Sequence, residues 1–228
     1  MAERLEPPAE AVVVHTSVGE DAHRPDALRD LGSSRRLLEG AARLRDHEPD
    51  AAVWACTSGS FVFGWAGAQE QVAELSEQLG IPCSSTSFSF VAAARALDVH
   101  RVAVAATYPN DVAELFAAFL AAGGIDIVGL GSHDIMTAEE VGTLDEGSVL
   151  GIARSYDRPD AEAVLLPDTA LHSVRWLEAL ERTLGKPVIT ANQATIWHAW
   201  GLAGRFRPVE GLGALLRTQA PRFAVGTA

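Results

Sequence analysis

The chain has 228 residues, 48 % of them hydrophobic, which is enough for one large α/β domain or two small ones and too apolar for disorder. Its 18 basic and 30 acidic residues leave a formal charge of -12, which repels nucleic acid and anionic membranes, and no basic patch offsets it. No apolar run approaches the roughly 18 residues of a membrane span, and "MAERLEPPAE" lacks the apolar region of a secretion signal, so a soluble, cytoplasmic protein with no membrane or nucleic-acid partner is expected.

In chain order, "AVVVHT" reads as a first strand. A helix over Pro25–Arg45 follows, whose Arg24, Arg29, Arg35, Arg36, Arg43 and Arg45 lie among Asp and Glu and read as a solvated face. The strand "AAVWACT" precedes a helix over Gly67–Leu79, and another helix is expected over Ser89–Leu97. The strand "RVAVAATY" leads into a helix over Asp111–Ala122 and the strand "IDIVGLG", then a helix over Thr143–Arg154. "AEAVLLP", a helix over Ala170–Leu184, "KPVIT" and a helix over Thr195–Ala203 complete the series. Apolar strands without polar alternation, separated by helices, indicate an α/β fold with parallel sheets covered on both faces. The tail "RFRPVEGLGALLRTQA" holds a Gly-rich break and a short amphipathic piece able to dock on either half.

The two halves are alike. "LGIPCSSTSFSFVAAARAL" (Leu79–Leu97) matches "LGKPVITANQATIWHAWGL" (Leu184–Leu202) at a constant spacing, with Gly, Pro and apolar positions in step. "VWACTSG" and "VLLPDTA" hold corresponding places, which sets Cys56-Thr57 against Asp168-Thr169. Two pseudo-symmetric α/β halves, 1–98 and 99–205, with 206–228 as a C-terminal segment, are therefore expected, and a cleft between them. The first half is reduced: it opens on "AVVVHTS", which corresponds to the later strand "IDIVGLG", and lacks the strand, loop and helix that "RVAVAATYPND" and "VAELFAAFLAAG" supply in the second half.

Cys56 ends a strand and precedes "TSGS", whose hydroxyls and backbone amides can cradle a carboxylate and lower a thiol pKa. Such a thiol could attack an electrophilic carbon or exchange a proton; equally, it could be a small buried hydrophobe beside helix-capping Thr57, Ser58 and Ser60. Asp168 has the composition of a helix N-cap, or of a base ionised near neutrality. Tyr108 could present a phenol to the cleft or pack over the sheet rim. Thr169, Ser85, Thr86, Asn192 and Gln193 stand at strand ends as candidate oxygen binders; His15, His133 and Asp134 also follow strands, whereas His172 and His198 fall inside expected helices. Cys56 and Cys83 are expected as free thiols, and without CxxC, HExxH or a full GxGxxG no metal or nucleotide cofactor is expected.

The segments "AVWACTSGSF", "ATYPNDV" and "LLPDTALHSVRWLEALERTLGKPVITANQATIWHAWGLAG" resemble the Asp/Glu racemase superfamily, and within it the maleate cis-trans isomerases and arylmalonate decarboxylases. The resemblance implies a cofactor-free enzyme with its site between two similar halves, acting on a small carboxylate, and a homo-oligomer. Racemases of this kind use a cysteine from each half, the isomerases add one cysteine to a double bond, and the decarboxylases keep only the second-half cysteine to protonate an enediolate. Carried over, Cys56 is the first-half cysteine, Thr57, Ser58 and Tyr108 hold a substrate carboxylate, and Thr169 does so from the second half. Asp168 replaces the second-half cysteine, Pro167 stands where serine is usual, and "ATY" stands where "TPY" is common. The family's opening strand, which brings an asparagine to the substrate, coincides with the segment that the first half lacks.

The leading expectation is an isomerase or racemase of a maleate-like carboxylate with Cys56 and Asp168 on opposite sides of the substrate. Decarboxylation of the arylmalonate type is the alternative enzyme, and a small-carboxylate-binding or structural protein without the reaction is the alternative outside enzymes.

Overall fold

The structure, a computed structural model, describes Met1 and residues 10–218. An irregular segment, 10–24, leads into α1 (Pro25–Leu31) and α2 (Ser34–Arg45), then β1 (Ala52–Trp54), α3 (Ser58–Phe61), α4 (Gly64–Leu79), β2 (Cys83–Ser85) and α5 (Thr86–Ala96). The second half continues with β3 (Arg101–Ala106), α6 (Asn110–Ala122), β4 (Asp126–Ser132), α7 (Ala138–Gly142), α8 (Glu146–Tyr156) and β5 (Ala163–Leu166). After a 3-10 turn at Val174–Trp176 come α9 (Leu177–Leu184), β6 (Val188–Thr190), α10 (Ala191–Leu202) and α11 (Gly213–Arg217).

Every strand pairing among the described residues is parallel, giving a two-stranded sheet β1-β2 and a four-stranded sheet β4-β3-β5-β6. Successive residues of a strand face opposite ways, so a strand covered on both sides must be apolar throughout. Val102, Val104, Ala106, Leu165 and Ile189 accordingly enter a large cluster with Phe61, Phe90, Phe116 and Trp197, which draws on both halves. Their neighbours Ala103, Ala105, Val164, Leu166 and Val188 enter a second cluster with Val149, Ile152 and Leu180. The first half keeps only a small core of its own around Leu37, Val72, Leu75 and Cys83.

The internal repeat is expressed in detail. α4 and α9 both end on a glycine in the left-handed region, Gly80 at φ 71° and Gly185 at φ 67°. Ala52 N–H donates to the Pro82 carbonyl at 3.0 Å and Val164 N–H to the Pro187 carbonyl at 3.1 Å, so β1 matches β5 and β2 matches β6.

Several expectations are corrected. "AVVVHT" forms no strand: Val12 and Val13 are 37 % and 74 % exposed, because no strand among the described residues pairs with this segment. The helix over Pro25–Arg45 breaks at Gly32-Ser33, where Gln71 Nε2 binds the carbonyls of Gly32 (2.7 Å) and Gly59 (3.1 Å) and a side chain on Gly32 would collide with Gly59. Arg36 is not on a solvated face but buried, donating to Asp30 Oδ2 at 2.6 Å and Ser17 Oγ at 2.8 Å. The helix expected from Ala170 starts at Leu177, after a turn that includes His172, and the one expected from Thr143 starts at Glu146. The tail's amphipathic piece is α11, packed on α9, α10 and β6; Gln219 and Ala220 lie outside the described residues. No helix among the described residues is long and apolar enough to cross a membrane.

A Cβ on Gly80 or Gly185 would meet nothing within 4 Å, so substitution there tests backbone conformation alone. Gly80→Ala and Gly185→Ala should each destabilise the fold by about 1 kcal/mol, to a similar extent in urea unfolding, as a left-handed C-cap requires.

Candidate active site

Trp54 pairs with Ser85 and Leu166 with Thr190 at the ends of equivalent strands. Cys56 and Asp168 each lie two residues further on, at the carboxyl ends where parallel sheets collect ligands. Tyr108 and Thr107 follow β3 at the same rim, and Thr57 and Ser58 open α3. The backbone thus gathers Cys56, Thr57, Ser58, Tyr108 and Asp168; the Cys56, Tyr108 and Asp168 groups are close enough to influence one another's ionisation.

Asp168 is 5 % exposed. Its Oδ2 accepts from Thr107 Oγ1 at 2.6 Å and its Oδ1 from the Ala170 N–H at 2.9 Å, so it caps a turn rather than the helix proper. His23 Nε2 stands 3.9 Å from Oδ2. Burial pushes the carboxyl above its ordinary pKa, against the opposing pull of the Thr107 hydroxyl, His23 and the Ala170 amide. This corrects the expectation of a carboxylate ionised in the ordinary way.

His23 had no signal in the sequence, since it follows no strand and belongs to no motif. It reaches the site from the irregular N-terminal segment, held by its backbone N–H on the Met136 carbonyl (2.7 Å) and its Nδ1 on the Ile135 carbonyl (2.8 Å). A carbonyl can only accept, so Nδ1 carries hydrogen and Nε2 is the atom turned to Asp168. The ring meets Tyr108 edge-on at 4.9 Å.

Tyr108 is buried, donates its hydroxyl proton to the Pro167 carbonyl at 2.8 Å and packs on Phe61. Burial, then the charges of Asp168 and Cys56, raise its pKa well above the ordinary value, with the nearby Thr57 and Ser58 hydroxyls opposing. It is therefore a neutral phenol tied to the loop that carries Asp168. Thr57 Oγ1, in contrast, is buried with no hydrogen-bond partner of acceptable geometry. Ser58 is buried beside it, and Thr169 lies half-buried in the turn after Asp168.

Cys56 is half-buried as a residue, and its sulfur is densely surrounded by protein. Burial pushes its pKa up to about 11; the Gly59 amide and the Ser58 hydroxyl and amide oppose this, and the Asp168 charge reinforces it. The acidifying effect expected of the amides at the start of α3 is present but outweighed by burial. At neutral pH Cys56 is a thiol.

The remaining candidates serve the scaffold. Ser85 caps α5 and bonds Ser60 Oγ at 2.9 Å, Thr86 bonds Thr195 at 2.7 Å, Asn192 donates to the Thr169 carbonyl at 2.9 Å, and Gln193 to the Leu212 carbonyl at 2.8 Å. His198 bonds Ser89 Oγ at 2.9 Å, with its pKa lowered to about 4 by burial. His15, His133 and Asp134 are exposed and do not join the site. Cys56 and Cys83 are both free thiols.

Comparison with known proteins identifies the family and the fold. Residues 32–216 match the family model for arylmalonate decarboxylase. The arylmalonate decarboxylase of Bordetella bronchiseptica is 32 % identical over 170 residues, 74 % of this chain and 71 % of that one. A maleate isomerase of Nocardia farcinica is 27 % identical over 199 residues, 85 % of this chain and 78 % of its own. A doubly substituted arylmalonate decarboxylase in its liganded form superposes with a TM-score of 0.86 at 28 % identity, covering 94 % of this chain and 91 % of the other. The chain belongs to the arylmalonate decarboxylase family, an enzyme family in the maleate isomerase branch of the Asp/Glu racemase superfamily.

Proposed function

We propose that the protein decarboxylates a small α-substituted malonate without a cofactor, the Cys56 thiol protonating the enediolate that remains. The reading rests on one half-buried thiol, its pKa raised by burial, within electrostatic reach of the buried Asp168 carboxyl group. In the reaction the bond from the α-carbon to one carboxylate breaks and CO2 leaves. The bonding pair passes into the surviving carboxylate as an enediolate, and the α-carbon then takes the Cys56 proton. The thiolate so formed is held by the Ser58 and Gly59 amides until water returns a proton.

The surviving carboxylate finds donors at Thr57, whose hydroxyl lacks a partner, and at Ser58. Developing negative charge on its oxygens strengthens those bonds in the transition state. Tyr108, whose proton is committed to Pro167, acts first as a strut for the Asp168 loop. The departing carboxylate is set toward the buried Asp168 carboxyl group, a desolvated place that favours its loss as neutral CO2. Because the thiol comes from the first half, protonation takes the face opposite to that served by a second-half cysteine.

Racemisation or isomerisation is the second reading, favoured by the raised pKa of Asp168, which gives the far side of the substrate a group able to hold a proton. Addition of Cys56 to a maleate double bond needs a thiolate, which a pKa of about 11 opposes.

Incubation with an aryl-methylmalonate in D2O, followed by NMR and chiral chromatography, separates these readings. The expected product carries one deuterium at the α-carbon, has a single hand opposite to that from a second-half-cysteine decarboxylase, and does not exchange further. Cys56→Ala should lower turnover by about 100-fold or more, while Asp168→Asn should slow CO2 release without restoring exchange. Product that racemises through Asp168, or fumarate from maleate, would establish the second reading; no conversion of either substrate would leave a carboxylate-binding protein.

The thiol itself is tested by alkylation. With Cys83→Ser in place, the rate of iodoacetamide reaction should climb with pH toward a midpoint of about 11, because only the thiolate reacts. Asp168→Asn removes a neighbouring negative charge and should move that midpoint down. A midpoint near 8 in the parent protein would rule out the protonated-thiol mechanism.

A further inference from the structure

Among the described residues β1 has a partner on only one side. Ala52 N–H points to Pro82 at the start of β2, and alternation along the strand turns the N–H and C=O of Val53 the other way. That edge borders a groove of about 650 Å³, lined by Val53 of β1, Val12 and Val14, Leu37 of α2, and Ile196 and Ala199 of α10. In the second half the corresponding place is occupied. β3 lies between β4 and β5, pairs Val104 with Leu165 of β5, and is buried from Val102 to Ala106. The groove thus has the position and the two helical covers of a central strand, and its far wall is the "AVVVHT" segment left without a ladder.

The charge pattern at its amino end matches as well. Glu162, just before β5, takes the Arg101 guanidinium at 3.1 and 3.2 Å and the His100 and Arg101 amides at 2.7 and 2.9 Å, anchoring the start of β3. Asp50 holds the equivalent place before β1, and its carboxylate, 62 % exposed, reaches Arg205 at 3.1 Å across the groove. A basic residue at the start of an incoming strand would meet this acid in exchange for its exposed pair with Arg205. Residues 2–9 of the chain include Pro7 and Pro8, which lack the N–H that a central strand must donate.

We propose that this groove seats an additional parallel β-strand from a separate polypeptide: a basic residue at the level of Asp50, then about five small or β-branched apolar residues ending beside Cys56, as β3 ends beside Thr107 and Tyr108. Backbone bonds to the edge of β1 supply the affinity and the two apolar covers supply the selection, as in recognition by strand addition. The inference concerns binding and stands apart from the reaction assigned to Cys56.

The probe is a fluorescein-labelled peptide RVAVAATY, added to the full chain and followed by anisotropy and by hydrogen exchange. Saturable binding is expected, with the Val53 amide exchanging at least about tenfold more slowly in the complex. A control peptide with proline at the third and fifth positions should not bind. Ala199→Phe, which fills the groove, and Asp50→Lys, which reverses the anchor on an exposed site, should each weaken binding by roughly tenfold. Lack of binding at about 1 mM, or binding indifferent to both substitutions, would overturn the proposal. So would a Val53 amide already protected without peptide: loss of that protection in Val225→Pro would assign the groove to the chain's own end, and its loss on dilution to a second copy.

Discussion

Parallel strands are held by evenly spaced, slanted backbone bonds, so the point where one strand stops is fixed by its neighbour. β2 and β6 set where β1 and β5 end, and those ends set where Cys56 and Asp168 stand. Both strands are short, three and four residues, and a single residue, Ala55 or Pro167, separates each from the reacting group. A shift of one residue in either register would turn every side chain of that strand to the opposite face and carry its polar group away from the cleft. The site therefore depends on the small sheet of the first half as much as on the large sheet of the second, although the first contributes far less core.

Burial decides the chemistry available to that site. Cys56, Tyr108 and Asp168 are all moved toward their neutral forms by desolvation, and each would add its charge to the others' cost of ionising. Three acids crowded in this way are unlike a nucleophilic centre, where an adjacent cation stabilises a thiolate. They form a place where negative charge is costly until a substrate brings it, and a dicarboxylate relieves that cost by losing CO2. His23 is the only side chain of opposite sign potential turned to Asp168 in the described site, and its Nδ1 bond to a backbone carbonyl leaves Nε2 to face the carboxyl group.

The sequence revealed those parts of the fold that rest on local pattern. Unbroken apolar runs identified β3 to β6, and the Gly-Pro spacing of Leu79–Leu97 against Leu184–Leu202 carried the repeat that pairs Cys56 with Asp168. Protonation states were not legible, because they depend on burial by residues distant in the chain: Phe61, Thr107 and His23 surround groups that they do not adjoin in sequence. The "AVVVHT" run misled for a related reason. A β-rich segment becomes a strand only when a neighbour satisfies its backbone, and propensity carries no information about whether that neighbour exists. Arg36 shows the converse, a residue with a surface composition drawn inward by Asp30 and Ser17.

The irregular segment that results is nevertheless anchored at both ends of its path. Ser17 bonds Glu39 at 2.9 Å and accepts from Arg36, and Asp21 takes the Ala138 and Glu139 amides at 2.9 and 3.1 Å, where the first turn of α7 leaves its N–H groups free. His23 then locks onto Ile135 and Met136. Side-chain bonds therefore do for this segment what a ladder does for β4, and they bring the His23 ring to Asp168. Such anchors are local and separable, whereas a ladder is cooperative along its length. The open edge of β1 and the placement of His23 thus go together among the described residues: no strand pairs with β1 on that side, and segment 10–24 reaches Asp168 on side-chain anchors instead of a ladder.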